Sequence, residues 1–431
     1  MGGAVIQIHM LEQRLVADPG RVVVRPFHLA WKATDGTRSR SQRLVDAVVE
    51  LSEAEVAEEL AEVLVDFEAR HWQTRRVFET RFDQVAREID LDPAAFSEPR
   101  RQLVGAYFCH EYSYAAAAIM NPSVTEHYDQ TGMPAGCTRI ILSLRTVGEG
   151  HISSIAFREG IVSEEGWMML APQPPFATAA TRIADPEGAA PGTVAAERHA
   201  DSTLSGTVIF PMTAAQANGL EDLRLTKCQH TDEGCEWIGT YTAYSGSKIH
   251  SELLRTQDFR TFQFQPMQGD AAVNKGMALF PRQVDGRYRM IGRQDGQNLY
   301  LLDSDDVGTW NGGKLLLEPE FPWELVQIGN CGAPIELDEG WLLLTHGVGA
   351  MRKYAIGAVL LDKDDPSKVL GRSPEPLLSA KAFDREGYVP NVVYTCGAMC
   401  VGRRIFLPHG LADSSVAFAF VDIPDLLAEL R

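Results

Sequence analysis

Two adjacent carboxylates, Glu221 and Asp222, open the run GLEDLRLT, with Arg224 two residues beyond them. Further along, basic residues stand beside strand-like runs: Lys275 precedes GMALFP, Arg293 closes YRMIGR and His346 closes WLLLTH. A lone basic residue at a strand end is ordinarily a solvated edge. Three of them at comparable points of a repeat, in a chain of net charge -18, stand out from their background. Arginine, lysine and histidine together suit a dianion such as phosphate, through charge-assisted hydrogen bonds. One carboxylate facing such a cluster could protonate a leaving oxygen, with bound phosphate replacing the water and general base of an inverting hydrolase. A second carboxylate beside the phosphate would repel it. Spacing alone leaves open which acid serves, because Glu221 reads equally as a charge at the strand entrance.

The elements that must position these groups repeat along the chain. EDLRLT, GMALFP, GAPIEL and NVVYTC each open a strand, turn, strand unit, and their equivalent residues Leu223, Ala278, Ala333 and Val392 lie 55, 55 and 59 positions apart. A period of about 50 residues with several strands per unit is the signature of a β-propeller. With one more unit from 121 to 170, the spacing predicts an all-β, five-bladed propeller over residues 120–431, its innermost strands lining a central funnel. Polar residues on those strands are then the suspects: Asp222, Lys275, the Gln327 to Asn330 segment and the Tyr388 to Asn391 segment. Residues 40–119 read as helical. Ser52 and Glu55 form a capping-box start, and Leu60, Val63, Leu64 and Phe67 recur at helical spacing. A second helical run is predicted from Arg100 to Met120, ended by Asn121-Pro122. Residues 1–119 are accordingly a mainly helical extension for packing or homo-oligomer contact. Residues 172 to 205, rich in Pro, Ala and Gly, read as a surface excursion.

Composition narrows the function classes. A net charge of -18 and an isoelectric point near 5.1 argue against a generic nucleic-acid or anionic-membrane surface. No run has the length of a membrane span and no leader pattern opens the chain, so the cytoplasm is the expected location. The seven cysteines are scattered and read as reduced thiols, and no metal or organic cofactor is expected.

At these motifs the chain resembles glycoside hydrolase family 130, five-bladed propeller enzymes that act on β-mannosides, mostly as inverting phosphorylases. The resemblance covers about residues 120 to 425. GLEDLRLT is similar to the family's Glu-Asp-Pro-Arg strand, whose aspartate is the general acid, which implies Asp222. VNKGMALFPRQVDGRYRMIGR implies Lys275 and Arg293 as phosphate ligands, and GAPIELDEGWLLLTHGV implies His346 as a third. YVPNVVYTCG and HGLAD resemble the closing blade, implying that Asp413 holds the sugar at the cleavage site, with Tyr388 and His409 also facing substrate. NPSV and LSLRTVG imply Asn121, Ser123 and Arg145 as sugar or phosphate contacts, with Glu221 in support. In several members the acid is thought to act through a sugar hydroxyl. Four departures stand out: Leu223 replaces the usual proline, Lys275 an arginine found in many members, Gln327 a phosphate-binding lysine of some phosphorylases, and His409 an expected aromatic. The resemblance implies phosphorolysis of a β-mannoside disaccharide or oligosaccharide to α-mannose 1-phosphate. Hydrolysis on the same fold is the alternative, with Asp295, Glu336 and Glu339 as the acids to examine for a base. A non-catalytic sugar-binding propeller is the reading from another class.

Overall fold

The computed structural model describes residues 6–32, 38–230 and 234–430. The chain forms two compact units. One comprises Pro19–Tyr114 with Pro175–Ala179, and the other comprises the remaining segments, Met1–Asp18, Ala115–Pro174 and Ala180–Arg431.

The smaller unit holds the helices Arg40–Glu50, Glu53–Phe67, Thr74–Ile89 and Glu98–Tyr107, with a two-stranded ribbon of Val22–Pro26 and Cys109–Ser113. Ser52 caps its helix as expected: its hydroxyl accepts from the Glu55 N–H, and the Glu55 carboxylate accepts from the Ser52 N–H. Ser39 and Gln42 form a second capping box that the sequence reading passed over. Val45, Val56, Phe82, Val85, Leu103 and Phe108 make the shared core. Gly105 sits where any Cβ would run into the Phe78 carbonyl of the neighbouring helix, so glycine is what permits that close approach.

The expected helix from Arg100 to Met120 is corrected by the structure. It stops at Tyr107, and Ala118–Glu126 is a strand paired with Cys137–Val147. Ala115 to Ala117 form the turn that leads into this strand and only Ala118 belongs to it; a helix preference of tenths of a kcal/mol per residue does not outweigh the strand pairings on either side. Asn121-Pro122 therefore ends no helix; it forms a bulge inside a strand.

The larger unit is mainly β and consists of successive antiparallel meanders. The first runs Ala118–Glu126, Cys137–Val147, Ser153–Ser163, and the second Gly219–His230, Gly234–Tyr244, Ile249–Thr256, Thr261–Pro266. The third is Ala278–Leu279, Tyr288–Gly292, Leu299–Ser304, Lys314–Leu317. The fourth is Gln327–Asn330 with Ile335–Glu336, then Trp341–Val348, Tyr354–Leu361, Val369–Arg372. The fifth is Val393–Tyr394 with Met399–Val401, then Arg404–Leu411 and Ser415–Asp422, and its outer strand is Ile8–Val16 from the other end of the chain. The sequence-repeat residues Leu223, Ala278, Ala333 and Val392 all lie in or beside the first strand of consecutive meanders.

These first strands touch one another. Ser123 Oγ meets the backbone of Leu225, and the Cys396 N–H donates to the Pro122 carbonyl at 2.8 Å. Arg224 bonds Asn330 and Tyr394, and the Asn330 amide donates to the Gly276 carbonyl. The stretch read as a surface excursion contributes more than surface. Val194–Glu197 pairs with the edge strand Thr261–Pro266, and Val194, Ala195 and Ala196 are buried. Covering that edge satisfies its open hydrogen-bonding groups.

All seven cysteines are free thiols. Among the described residues no helix is long and apolar enough to cross a membrane.

Candidate active site

Asp222 sits at a bulge. The pairing of Gly219–His230 with Gly234–Tyr244 slips between Glu221 and Arg224, and Asp222 takes a left-handed backbone with φ 59°. Asn121 occupies the matching bulge of the first meander, with φ 48°. Bulges redirect side chains out of the alternating pattern, and these two are directed at each other. Asn121 Nδ2 donates to Asp222 Oδ1 at 2.6 Å. Arg145 Nη1 donates to the same oxygen at 3.1 Å, its Nη2 reaches Glu221 Oε1 at 2.6 Å, and its Nε bonds Ser153 Oγ. Two donors on Oδ1 leave Oδ2 as the natural place for a proton.

Asp222 is held ionised. Burial works against its charge, but Arg145, Lys275 and Arg224 and the Asn121 hydrogen bond outweigh that and bring its pKa below the usual carboxylate range. Asp413 goes the other way: burial, reinforced by the charge of Asp222, raises it to about 6 against the pull of Arg145 and Arg352. Asp413 too lies on left-handed backbone, next to Ala412 in the same conformation.

The basic residues divide into two groups. Lys275 Nζ lies 3.5 Å from Glu221 Oε2, which bridges it to Arg145. Arg293 instead faces His346, with Nη1 3.4 Å from Nε2. His346 Nδ1 lies 3.1 Å from the Asn330 carbonyl, which can only accept, so Nδ1 carries the hydrogen. Burial, with Arg293 and Arg224 nearby, pushes the His346 pKa well below its ordinary value. The ring is thus neutral and offers Arg293 an acceptor. The positive charge on this side is that of Arg293, not of the histidine counted as basic in the sequence. Arg293 Nε is buried without a hydrogen-bond partner among the described residues. Gly276 lies beside it, where a Cβ would meet that nitrogen at 3.8 Å in ordinary contact.

Of the other expected contacts, Ser123 is fully buried and engaged with Leu225. Gln327 begins the strand leading to Asn330, half-buried. Tyr388 is exposed, with its hydroxyl 3.0 Å from His151 Nδ1. His409 is fully buried, Nδ1 facing the Leu407 carbonyl at 3.2 Å, and burial lowers its pKa to about 4. No hydrogen bond joins it to the Asp222 cluster among the described residues. Leu223, in the place of the usual proline, packs in the core of its meander over Gly239. The three acids considered as hydrolytic bases are engaged elsewhere. Glu336 takes a two-point contact from Arg282, Glu339 pairs with Arg403, and Asp295 accepts from the Gln297 and Asn298 N–H groups. Among the described residues no group of three or more His, Cys, Asp or Glu is placed to hold a metal ion.

Sequence reasoning missed Arg224 and Tyr394 as candidate site residues, and it singled out Asn330 only as the end of the Gln327 to Asn330 segment. Arg224 is buried and bonds the Asp222 carbonyl at 2.9 Å, Asn330 Oδ1 at 3.2 Å and the Tyr394 hydroxyl at 2.5 Å. Its signal was present, an arginine two residues past the acid in a strand, but nothing in the sequence says that its partners lie on two other meanders.

The model of glycoside hydrolase family 130, described as β-1,4-mannooligosaccharide phosphorylase, matches residues 199–431. A 1,2-β-oligomannan phosphorylase of Thermoanaerobacter sp. (strain X514) is 37% identical over 229 residues, 52% of this chain and 75% of the relative. A β-1,2-mannobiose phosphorylase of Listeria innocua serovar 6a is 30% identical over 232 residues, 52% of this chain and 63% of the relative. A solved glycosyl hydrolase structure from Bacteroides ovatus shares the fold, with a TM-score of 0.52 at 16% identity, covering 73% of this chain and 86% of that one. With the family model spanning more than half of its residues, the chain belongs to glycoside hydrolase family 130.

Proposed function

We propose that this protein is an inverting β-mannoside phosphorylase. The observation that carries the reading is the buried Nε of Arg293, which has no hydrogen-bond partner among the described residues and lies beside Gly276, the residue after Lys275. A buried guanidinium N–H without an acceptor costs on the order of 1–3 kcal/mol, and a phosphate oxygen would satisfy it. Lys275 supplies the second charge once it leaves Glu221, and His346 fixes the Arg293 plane. In this reading the five meanders are the blades of a five-bladed propeller. The contacts among their first strands support it, as does the use of Ile8–Val16 to complete the last blade.

A phosphate oxygen attacks the anomeric carbon opposite the leaving group, the bond to the leaving sugar breaks, and its oxygen takes the proton from Asp222 Oδ2, directly or through a sugar hydroxyl. Ester formation releases the proton of hydrogenphosphate, so the reaction is proton-neutral overall. The ionised resting state of Asp222 fits this sequence. Arg145, Lys275 and Arg224 hold the proton off, and a bound dianion offsets them, so the acid gains its proton when the nucleophile arrives. In this reading Asn121, Arg145, Glu221 and Asp413 hold the sugar bound at the cleavage site. The relatives named above act on β-1,2 links and the family description names β-1,4 links, so both are the substrates to try.

The deciding experiment incubates the protein with β-1,2- and β-1,4-mannobiose, with and without phosphate. Phosphate-dependent appearance of α-mannose 1-phosphate is expected; release of free mannose at a rate unaffected by phosphate would overturn the reading in favour of hydrolysis.

A further inference from the structure

We propose that Arg224, with Asn330, is the positioning centre of this site: one buried hydrogen-bond network that sets the acid and the anion cradle at a fixed separation. The proposal rests on the reading of Asp222 as the acid and Arg293 as an anion ligand. Its own ground is geometric. The planar fork of Arg224 places one nitrogen on the Asp222 main-chain carbonyl at 2.9 Å, one on Asn330 Oδ1 at 3.2 Å and one on the Tyr394 hydroxyl at 2.5 Å. Its three partners thus belong to the first strands of the second, fourth and fifth meanders.

Asn330 passes the link on. Its amide nitrogen donates to the carbonyls of Gly276, the residue after Lys275, and of Ile291, two residues before Arg293, the latter at 3.4 Å. Its own carbonyl accepts from His346 Nδ1, and His346 accepts from Arg293. Asp222, His346 and Arg293 are therefore one or two hydrogen bonds from this pair, and Lys275 is the chain neighbour of Gly276. Both are buried, Arg224 at 3% and Asn330 at 1% exposed, and their side-chain groups are engaged in this network.

An arginine buried this deeply is costly unless its position is used, and its use here is specific. Asp222 stands on left-handed backbone, a conformation that costs an aspartate energy and persists only where neighbours determine it. The Arg224 bond to its carbonyl is one such determinant. A lysine could keep the charge, but it has no fork with which to span three strands.

The test compares Arg224→Met, Arg224→Lys and Asn330→Ala on two kinds of leaving group. A residue acting through the acid matters most when the leaving oxygen needs a proton. A mannobiose requires protonation, whereas p-nitrophenyl β-mannoside leaves without it. Arg224→Met is expected to lose about 100-fold in kcat on mannobiose, the scale of a misplacement of about 1 Å, and roughly tenfold or less on the aryl mannoside. Arg224→Lys should recover little of the mannobiose loss. Asn330→Ala, which keeps the Arg224 charge, should raise the KM for phosphate more than it lowers kcat on the aryl substrate. Far-ultraviolet circular dichroism and melting temperature report whether each variant is folded. Equal losses on both leaving groups in a folded Arg224→Met, recovery by lysine, or an unchanged KM for phosphate in Asn330→Ala would overturn the proposal. The leaving-group comparison can be scored with phosphate or with water as nucleophile. A protein that proved to be a hydrolase would therefore refute phosphorolysis and still judge the role of Arg224.

Discussion

At the scale of single residues, two neighbouring carboxylates of the candidate site are shifted in opposite directions. Asp222 lies below the usual carboxylate range and Asp413 at about 6, although both are buried, because Asp222 has Asn121 and Arg145 on one oxygen and Asp413 has the charge of Asp222 for company. Asp222→Asn should lower kcat on mannobiose by about 10²- to 10⁴-fold, the range for a general acid, with a smaller loss on an aryl mannoside. Lys275→Met should leave the mannoside KM nearly unchanged and raise the phosphate KM by about tenfold or more, the worth of a charge-assisted hydrogen bond. The basic limb of activity reports the loss of the acid's proton. That acid is depressed in the free site and relieved when phosphate is bound, so the limb of kcat/KM for mannoside should move to higher pH as phosphate is raised. A limb that does not move with phosphate would show that the two are not linked.

Stability has its own pH dependence. His409 falls from its ordinary 6.5 to about 4, so the unfolded chain binds more protons between those values and stability declines on acidification from 6.5 towards 4. Asp413 rises from 3.8 to about 6, so the folded chain holds the extra proton and stability increases on acidification across much of the same window. The two effects oppose. Asp413→Asn removes only the second, and its melting temperature should fall more steeply than that of the parent between pH 6 and 4.

At the scale of elements, the bulges make the site. Asn121 and Asp222 each lie where a strand slips register, and at each slip the backbone turns left-handed. The first strand of the fourth meander is also interrupted, by Gly332 at φ 110°, where a Cβ would strike the Cys396 carbonyl of the fifth. Gly332→Ala carries both a strained backbone and a steric clash, so it should cost at least about 1–3 kcal/mol in a urea titration. It should also weaken activity, because Cys331 and Asn330 precede it on the strand that aligns His346.

At the scale of the molecule, the last meander is completed by the other end of the chain. Ile8–Val16 pairs with Ser415–Asp422, and Leu11 and Leu15 pack into the cluster containing Phe418 and Phe420. Removing residues 6–16 exposes that edge and two leucine sites. Given about 2–5 kcal/mol for each buried leucine lost, a drop in melting temperature of roughly 10 °C or more is expected, with aggregation through the open strand. A truncated chain that melts as the parent does would show the strand to be dispensable.

Much of this was legible in the chain itself. The recurrence of EDLRLT, GMALFP, GAPIEL and NVVYTC located the first strands of four meanders, because equivalent strands need the same alternation and turn chemistry. The motif resemblance picked out Asp222, whose Oδ1 accepts from Asn121 and Arg145 in the folded chain. Other features depended on distance in space. The alanine string before Met120 reads as helix until its strand partner is known. Ile8–Val16 shows no sign of belonging with residues 400 positions away. The charge state of His346 cannot be read from its type, since burial and the Asn330 carbonyl decide it. Periodicity and residue type record local constraints, and these located the strands and the acid pair, between whose members the family resemblance chose. Which side chains share a proton, a charge or a bulge is a property of long-range packing and desolvation, and only the folded chain decided that.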